Sequence, residues 1–396
     1  MAVTIVNTPA DFVPVNNNVI WTGTSTNVAQ PQFKYLVDIV INAVTVYRYK
    51  IKPEPGGLQL LVVDVSKILR NYLSKDLYLP AADQGIRTGN NSFVEYDIEI
   101  GEEYEVAGVL QQFPPTATAT HYVFNGALSY VDFVDFVPGT YLDSKFLTNA
   151  PRTQNTFLEG AGALHLMVDV GTTITDLAIE TYLGGVLQNS YSITTLFPAT
   201  NYYLFAAGVD TINDIDPVYF SAPVVQPIIH TSVDQYIVQV NLSTGSTEQF
   251  TFNIVDTCYD PIRVHWLNRL GGYDWFDFEL SARDNYSVDR RSMKQVPDVV
   301  GQTGTVTYSK QDRVNLDYWV KEKRKTTLTS NWITGEQSEW LKDMLSSQDI
   351  YLEIGGEYIA VNIDQANYDV KYEDRDELFN LEVAFTYAID SDRQQF

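Results

Sequence analysis

Apolar residues recur at every second position along much of this chain. That alternation restricts it to folds built from half-buried β-strands. Phe33, Tyr35, Val37, Ile39 and Ile41 form one such row, and Val94, Tyr96, Ile98 and Ile100 form another. Glu95, Asp97 and Glu99 lie between members of the second row, which gives that strand one dry face and one wet, acidic face. Similar patterning predicts strands over 44–51, 165–170, 176–183, 202–207, 235–242, 249–255, 275–280, 304–309, 350–354, 358–363 and 378–389. Turn chemistry separates them, at Pro53-Glu54-Pro55-Gly56-Gly57, Gly184-Gly185, Ser243-Thr244-Gly245 and Gly355-Gly356.

Helical periodicity is scarce. Asp64 is placed to cap a helix over 64–74, with Val65, Ile68, Leu69, Tyr72 and Leu73 as its apolar stripe. A second helix, 335–346, would bury Trp340, Leu341, Met344 and Leu345. The expected fold is mainly β, with several β-sandwich or barrel-like domains and two short α-helices. Three domains are expected: an N-terminal β domain (1–120) with the first helix, a middle β-sandwich (121–225), and a C-terminal β domain (226–396) with the second helix. Residues 114–120, Pro-Pro-Thr-Ala-Thr-Ala-Thr, read as an extended connector, and 222–227 as an extended crossing.

Composition narrows function. Of 396 residues, 45% are hydrophobic and 13% aromatic, enough apolar material for several cores and incompatible with wholesale disorder. A lone cysteine, Cys258, supports neither an intrachain disulfide framework nor a multi-cysteine zinc site. The four histidines (His121, His165, His230, His265) are widely spaced, with no metal-binding pair among them. No apolar run approaches the ~20 residues that cross a bilayer, so no membrane insertion is expected. The first residues lack the basic and apolar regions of a secretory signal, and synthesis in a cytoplasm is expected.

Charge divides the chain unevenly. The formal net charge is -24, which argues against a general phosphate-backbone binder and against sequence-specific nucleic-acid recognition. Residues 1–150 carry -6, 151–260 carry -10, 261–330 carry +3 and 331–396 carry -11. A positive segment between negative ones suits charge-complementary contacts between subunits. The residues expected to make them are Arg283, Arg290, Arg291, Lys323, Arg324 and Lys325. A negative wall is also compatible with DNA passing close by without sticking.

Other candidates have plainer alternatives. Asp210, Asp214 and Asp216 offer carboxylates at short spacing, as calcium requires, but without the glycine and distal glutamate of an EF-hand loop. A solvated turn competes with that reading. The run Glu373-Asp374-Arg375-Asp376-Glu377 reads as a charged hairpin tip. In the block 265–278, Trp266, Gly271, Gly272, Tyr273 and Trp275 read as a structural hairpin, with an aromatic binding platform as the alternative. Gly160-Ala161-Gly162 is too short to cradle a phosphate, and no nucleophile elbow, phosphate loop or metalloprotease helix occurs. Neither catalysis nor a cofactor is expected.

Three stretches carry a resemblance. The first is Tyr47–Gly57 followed by Val63–Leu73. The second is Trp266-Leu-Asn-Arg-Leu-Gly-Gly-Tyr273 with Trp275–Phe278. The third is Glu336–Ser347 followed by Ile350–Val361. Together they resemble virion structural proteins of tailed phages infecting Bacteroidetes-type hosts, crAss-like phages included. The middle stretch is the most specific, and the last also resembles a module of tail and baseplate proteins. The resemblance implies a virion location and an architectural role in a tail, neck or baseplate. It further implies a ring-like homo-oligomer in contact with other tail or neck proteins. A receptor- or carbohydrate-binding adhesin at the tail tip is the alternative, and a surface polysaccharide depolymerase the third.

Overall fold

The computed structural model describes residues 3–79, 84–194, 200–256, 259–294, 310–311, 313–364, 379–389 and 391–392. They form a mainly β protein in two compact units. The first comprises 1–256 and 267–274, the second 257–266 and 275–396.

The first unit contains four sheets. One orders β1 (Val3–Asn7), β3 (Ile20–Ser25) and β6 (Leu61–Asp64) as β1-β3-β6. It faces a sheet ordered β2-β9-β8-β4-β5, built from β2 (Phe12–Pro14), β4 (Lys34–Ile41), β5 (Val44–Ile51), β8 (Phe93–Val106) and β9 (Val109–Phe124). Trp21, Tyr35, Val37, Ile39, Tyr96, Ile98 and Ile100 meet in the core between them. The Trp21 indole N–H donates to the Tyr96 hydroxyl at 3.2 Å, so these two buried rings satisfy each other. The expected connector 114–120 is indeed extended, but it is part of β9 and is paired along β8.

The third sheet orders β11 (Ala163–Met167), β14 (Tyr202–Ala206) and β7 (Ile86–Thr88). The fourth orders β10 (Thr153–Thr156), β17 (Phe250–Ile254), β15 (Gln235–Leu242), β12 (Ile174–Leu183) and β13 (Val186–Ile193), with β16 (Gly245–Ser246) on β15. Tyr236 stacks on Phe252 at 4.9 Å, and its buried hydroxyl donates to the Ala207 carbonyl.

The second unit is one sheet, ordered β19-β18-β22-β23-β24-β21-β20. Its strands are β18 (Ile262–Leu267), β19 (Tyr273–Phe278), β20 (Ser281–Lys294), β21 (Asn315–Ile333), β22 (Ile350–Ile354), β23 (Glu357–Ile363) and β24 (Phe379–Tyr387), with β25 (Ser391–Asp392) on β21. Only Glu279 and Leu280 separate β19 from β20, the two ends of that order, so the sheet rolls into a barrel-like wall.

Four short α-helices occur among the described residues, two more than the periodicity predicts. α1 (Ser66–Leu69) is shorter than the expected 64–74 and continues only as a 3₁₀ turn over Arg70–Tyr72. Asp64 still serves its start, accepting from the backbone N–H groups of Val19 and Ser66. α2 (Tyr130–Val134) and α3 (Val209–Asn213) are single turns, too short to show a 3.6-residue stripe. α4 (Gly335–Ser346) begins and ends where expected. Thr334 and Gln337 form a capping box at its start, and Trp340, Leu341 and Met344 are buried.

Candidate functional site

The aromatic block folds as a hairpin, β18 to β19. Its stem belongs to the second unit and its tip, Leu267–Asp274, to the first. In the stem, Trp266 is fully buried and packs on Trp340 with ring centroids 5.1 Å apart; Trp275 is also buried. The stem carries a charge pair too: Arg263 grips Asp277 with two bonds of 2.7 and 2.8 Å, both side chains being buried. Beside it, His265 Nε2 lies 2.9 Å from Glu353 Oε2. Burial pushes the His265 imidazole below its usual range, against the pull of Glu353. The sequence hid this partner because Glu353 follows 88 positions later.

Asn268 organises the tip. Its side-chain oxygen accepts from the N–H groups of Leu270 and Gly272, and its amide donates to the Leu147 carbonyl and to Asp274. Every hydrogen-bonding position of that amide is used. Gly271 has φ +83°, and a Cβ there would lie 2.6 Å from the Asn125 carbonyl oxygen. At Gly272 a Cβ would lie 2.9 Å from the Leu147 carbonyl oxygen. The Tyr202 hydroxyl donates to the Gly271 carbonyl at 2.9 Å, so it accepts from His165 Nδ1, 3.2 Å away. Burial drives the His165 imidazole down to about 3, keeping it neutral. Tyr273 is buried as well. These rings and glycines are packing elements and present no aromatic platform to solvent.

Local backbone bonds occupy the proposed calcium residues. Asp210, on α3, accepts from the Gly160 N–H at 2.7 Å. Asp216 accepts from the Val218 N–H at 3.0 Å as the cap of a 3₁₀ turn, and Asp214 ends α3. No group of three or more His, Cys, Asp or Glu suited to a metal ion occurs among the described residues. Gly160-Ala161-Gly162 is a close-packing site: a Cβ on Gly208 would lie 2.4 Å from the Gly162 nitrogen. The strand expected at 304–309, the run Glu373–Glu377 and Cys258 lie outside the described residues.

All six residues expected to make subunit contacts lie on the hairpin β20–β21. Every residue of β20 is exposed. Fourteen residues at ~3.4 Å each make it an arm of about 45 Å. Register separates its two faces. Arg283, Arg291, Lys321, Lys323 and Lys325 share one face with a single carboxylate, Asp289. On the opposite face Arg290 and Arg324 are matched by Asp284 and Glu322. There Arg324 bonds Asp284 at 2.6 Å, while Arg290 reaches Asp317 at 3.0 Å. On the cationic face Lys325 meets Asp364 at 2.7 Å and Arg291 lies over the Trp319 ring. Arg283 and Lys323 have no acidic partner among the described residues.

An opposite surface lies in the first unit. Along β8, Glu95, Asp97 and Glu99 face away from the core, with Tyr122, Thr120 and Thr118 of β9 beside them. Burial, then the carboxylates of Glu95, Asp11, Asp169 and Asp97, push the Tyr122 phenol above its usual range. Four carboxylates thus act on one phenol, in addition to its burial.

No protein-family model matches the chain, and no curated protein matches it. Among solved structures, the ICAM-5 D1–D4 ectodomain fragment covers 96% of this chain and 75% of its own, at 10% identity and a TM-score of 0.21. So low a score carries no argument. No helix among the described residues is long and apolar enough to cross a membrane.

Proposed function

We propose that this chain is a structural protein of a phage virion, joining copies of itself into a ring in the tail, neck or baseplate. The observation that carries the reading is the β20–β21 arm: a wholly exposed strand, paired on one side, with a cationic face on a chain of net charge -24. β20 is an edge strand that buries no residue in its own unit, and its free edge is well shaped to reach a neighbour. The resemblance of 47–73, 266–278 and 336–361 to virion proteins supplies the biological setting. Its mechanism is assembly, with β20–β21 as the joining element and the sandwiches as the body of each subunit. The burial of Trp266, Tyr273 and Trp275 takes the aromatic block out of consideration as a glycan platform.

Electron microscopy of the purified chain tests the proposal. Closed rings or arcs of regular curvature are expected, and Arg290→Glu with Arg291→Glu is expected to disperse them. Monomers that capture oligosaccharides on a glycan array would overturn it in favour of the adhesin.

A further inference from the structure

We infer that the cationic face of β20–β21 docks on the acidic face of β8 and β9 in a second copy of this chain. The inference rests on the assembly reading above and names the surface that receives the arm. The two faces match in sign. Arg283, Arg291, Lys321, Lys323 and Lys325 stand on one together with Asp289, and Asp364 bonds Lys325. Glu95, Asp97 and Glu99 stand on the other, with Asp11 and Asp169 acting on the same Tyr122 hydroxyl.

The faces also match in repeat. Lys321, Lys323 and Lys325 are alternate residues of one strand, and so are Glu95, Asp97 and Glu99. Alternate side chains on a strand recur every ~6.8 Å. Cations and carboxylates therefore come in rows of the same pitch, and a ribbon laid along β8 puts them opposite each other.

Each surface keeps charges that its own unit does not pair, although Lys325 meets Asp364. Arg283 and Lys323 have no acidic partner, and Glu95 has no basic one, among the described residues. Asp97 accepts from the Thr120 hydroxyl. Arg48, which lies near Glu99, is already held by Asp38 through two bonds of 2.6 Å. Asp11 is 82% exposed, with His121 Nε2 3.6 Å from it. By contrast, the opposite face of the arm carries equal numbers of cations and carboxylates. Coulomb attraction between such faces steers association and is screened by salt.

Two complementary reversals of the full chain test the inference. One carries Arg283→Glu and Lys323→Glu; the other carries Glu95→Lys and Asp97→Lys. Sedimentation at low salt is expected to show self-association of the wild type and at least tenfold weaker association of either variant alone. An equimolar mixture of the two variants is expected to recover the wild-type assembly, because each supplies the surface the other lacks. A milder variant, Glu95→Gln with Asp97→Asn, keeps the side-chain shapes and is expected to weaken association less. Circular dichroism melts verify that each variant is folded.

Unchanged association of the Glu95→Lys, Asp97→Lys variant would overturn the inference and leave the ring reading standing. A wild type that stays monomeric at every salt concentration would overturn both. Retention of duplex DNA by the wild type, lost on reversing the arm while assembly is untouched, would overturn the inference in favour of a nucleic-acid partner.

Discussion

Two consecutive hairpins, separated only by Glu279 and Leu280, use their sequences in opposite ways. β18–β19 is rich in aromatics and ends in a buried glycine turn held by Asn268. β20–β21 is rich in charge and exposed along the whole of its first strand. In the first hairpin the distinctive rings are packed inside the protein, Trp266 against Trp340. In the second, two cations on one face have no partner among the described residues. A conspicuous residue type thus marks a site only when its neighbours leave it unsatisfied, and here aromatic enrichment reports packing while charge enrichment reports an available surface.

The largest expected effect tests the buried side of this contrast. His165 in the folded state stays neutral down to about pH 3, whereas the unfolded chain protonates it near 6.5. As pH falls between those values the unfolded state takes up the proton first, so stability is lost through that window and levels off below it. The loss attributable to His165 is on the order of 4–5 kcal/mol. Chemical denaturation at a series of pH values should show the wild type losing stability faster than His165→Gln. Parallel curves would break the account of the buried tip.

Next comes Gly271→Ala. It forces a side chain into a left-handed backbone conformation and against the Asn125 carbonyl. A loss of about 3–4 kcal/mol is expected in denaturant titrations. A smaller step sits at α4, where Thr334→Ala removes the capping hydroxyl and should lower stability by about 1 kcal/mol. The smallest effect belongs to the exposed hairpin. Arg283→Glu with Lys323→Glu should move folding stability by no more than about 0.5 kcal/mol, since neither side chain has a charge partner among the described residues. A larger shift in the melting curve would mean that the arm supports its own unit and would erase the contrast.

Much of the architecture was legible in the residues. Alternation located β4, β5, β12, β15 and β22 almost to the residue, because each has one dry and one wet face or a tight turn at its end. The apolar stripe Trp340, Leu341 and Met344 made α4 readable by its helical period. One-turn helices such as α2 escaped because five residues are too few to establish a period. The pairing of Ile86–Thr88 with Tyr203–Phe205 escaped for another reason: contacts across more than a hundred positions leave no local trace.

The candidate surface was half legible. The six cations were identifiable from charge alone, but their division between two faces follows from register, which charge counting does not contain. Asn268 drew no notice because its four bonds lie mostly with backbone groups, one of them at Leu147. His165 and His265 gave no sign of Tyr202 and Glu353 for the same reason of distance along the chain.

The closed strand order of the second unit bears on how the protein is made. β18 pairs with β22, so Arg263 waits for Glu353, and β21 waits for β24 near the end of the chain. The wall cannot close until nearly the last strand has left the ribosome. The first unit also waits, since it includes Leu267–Asp274. During synthesis β20, with its unpaired backbone groups, emerges before the strands that complete its sheet. Charged side chains along an edge disfavour its pairing with other chains, and β20 carries six of them.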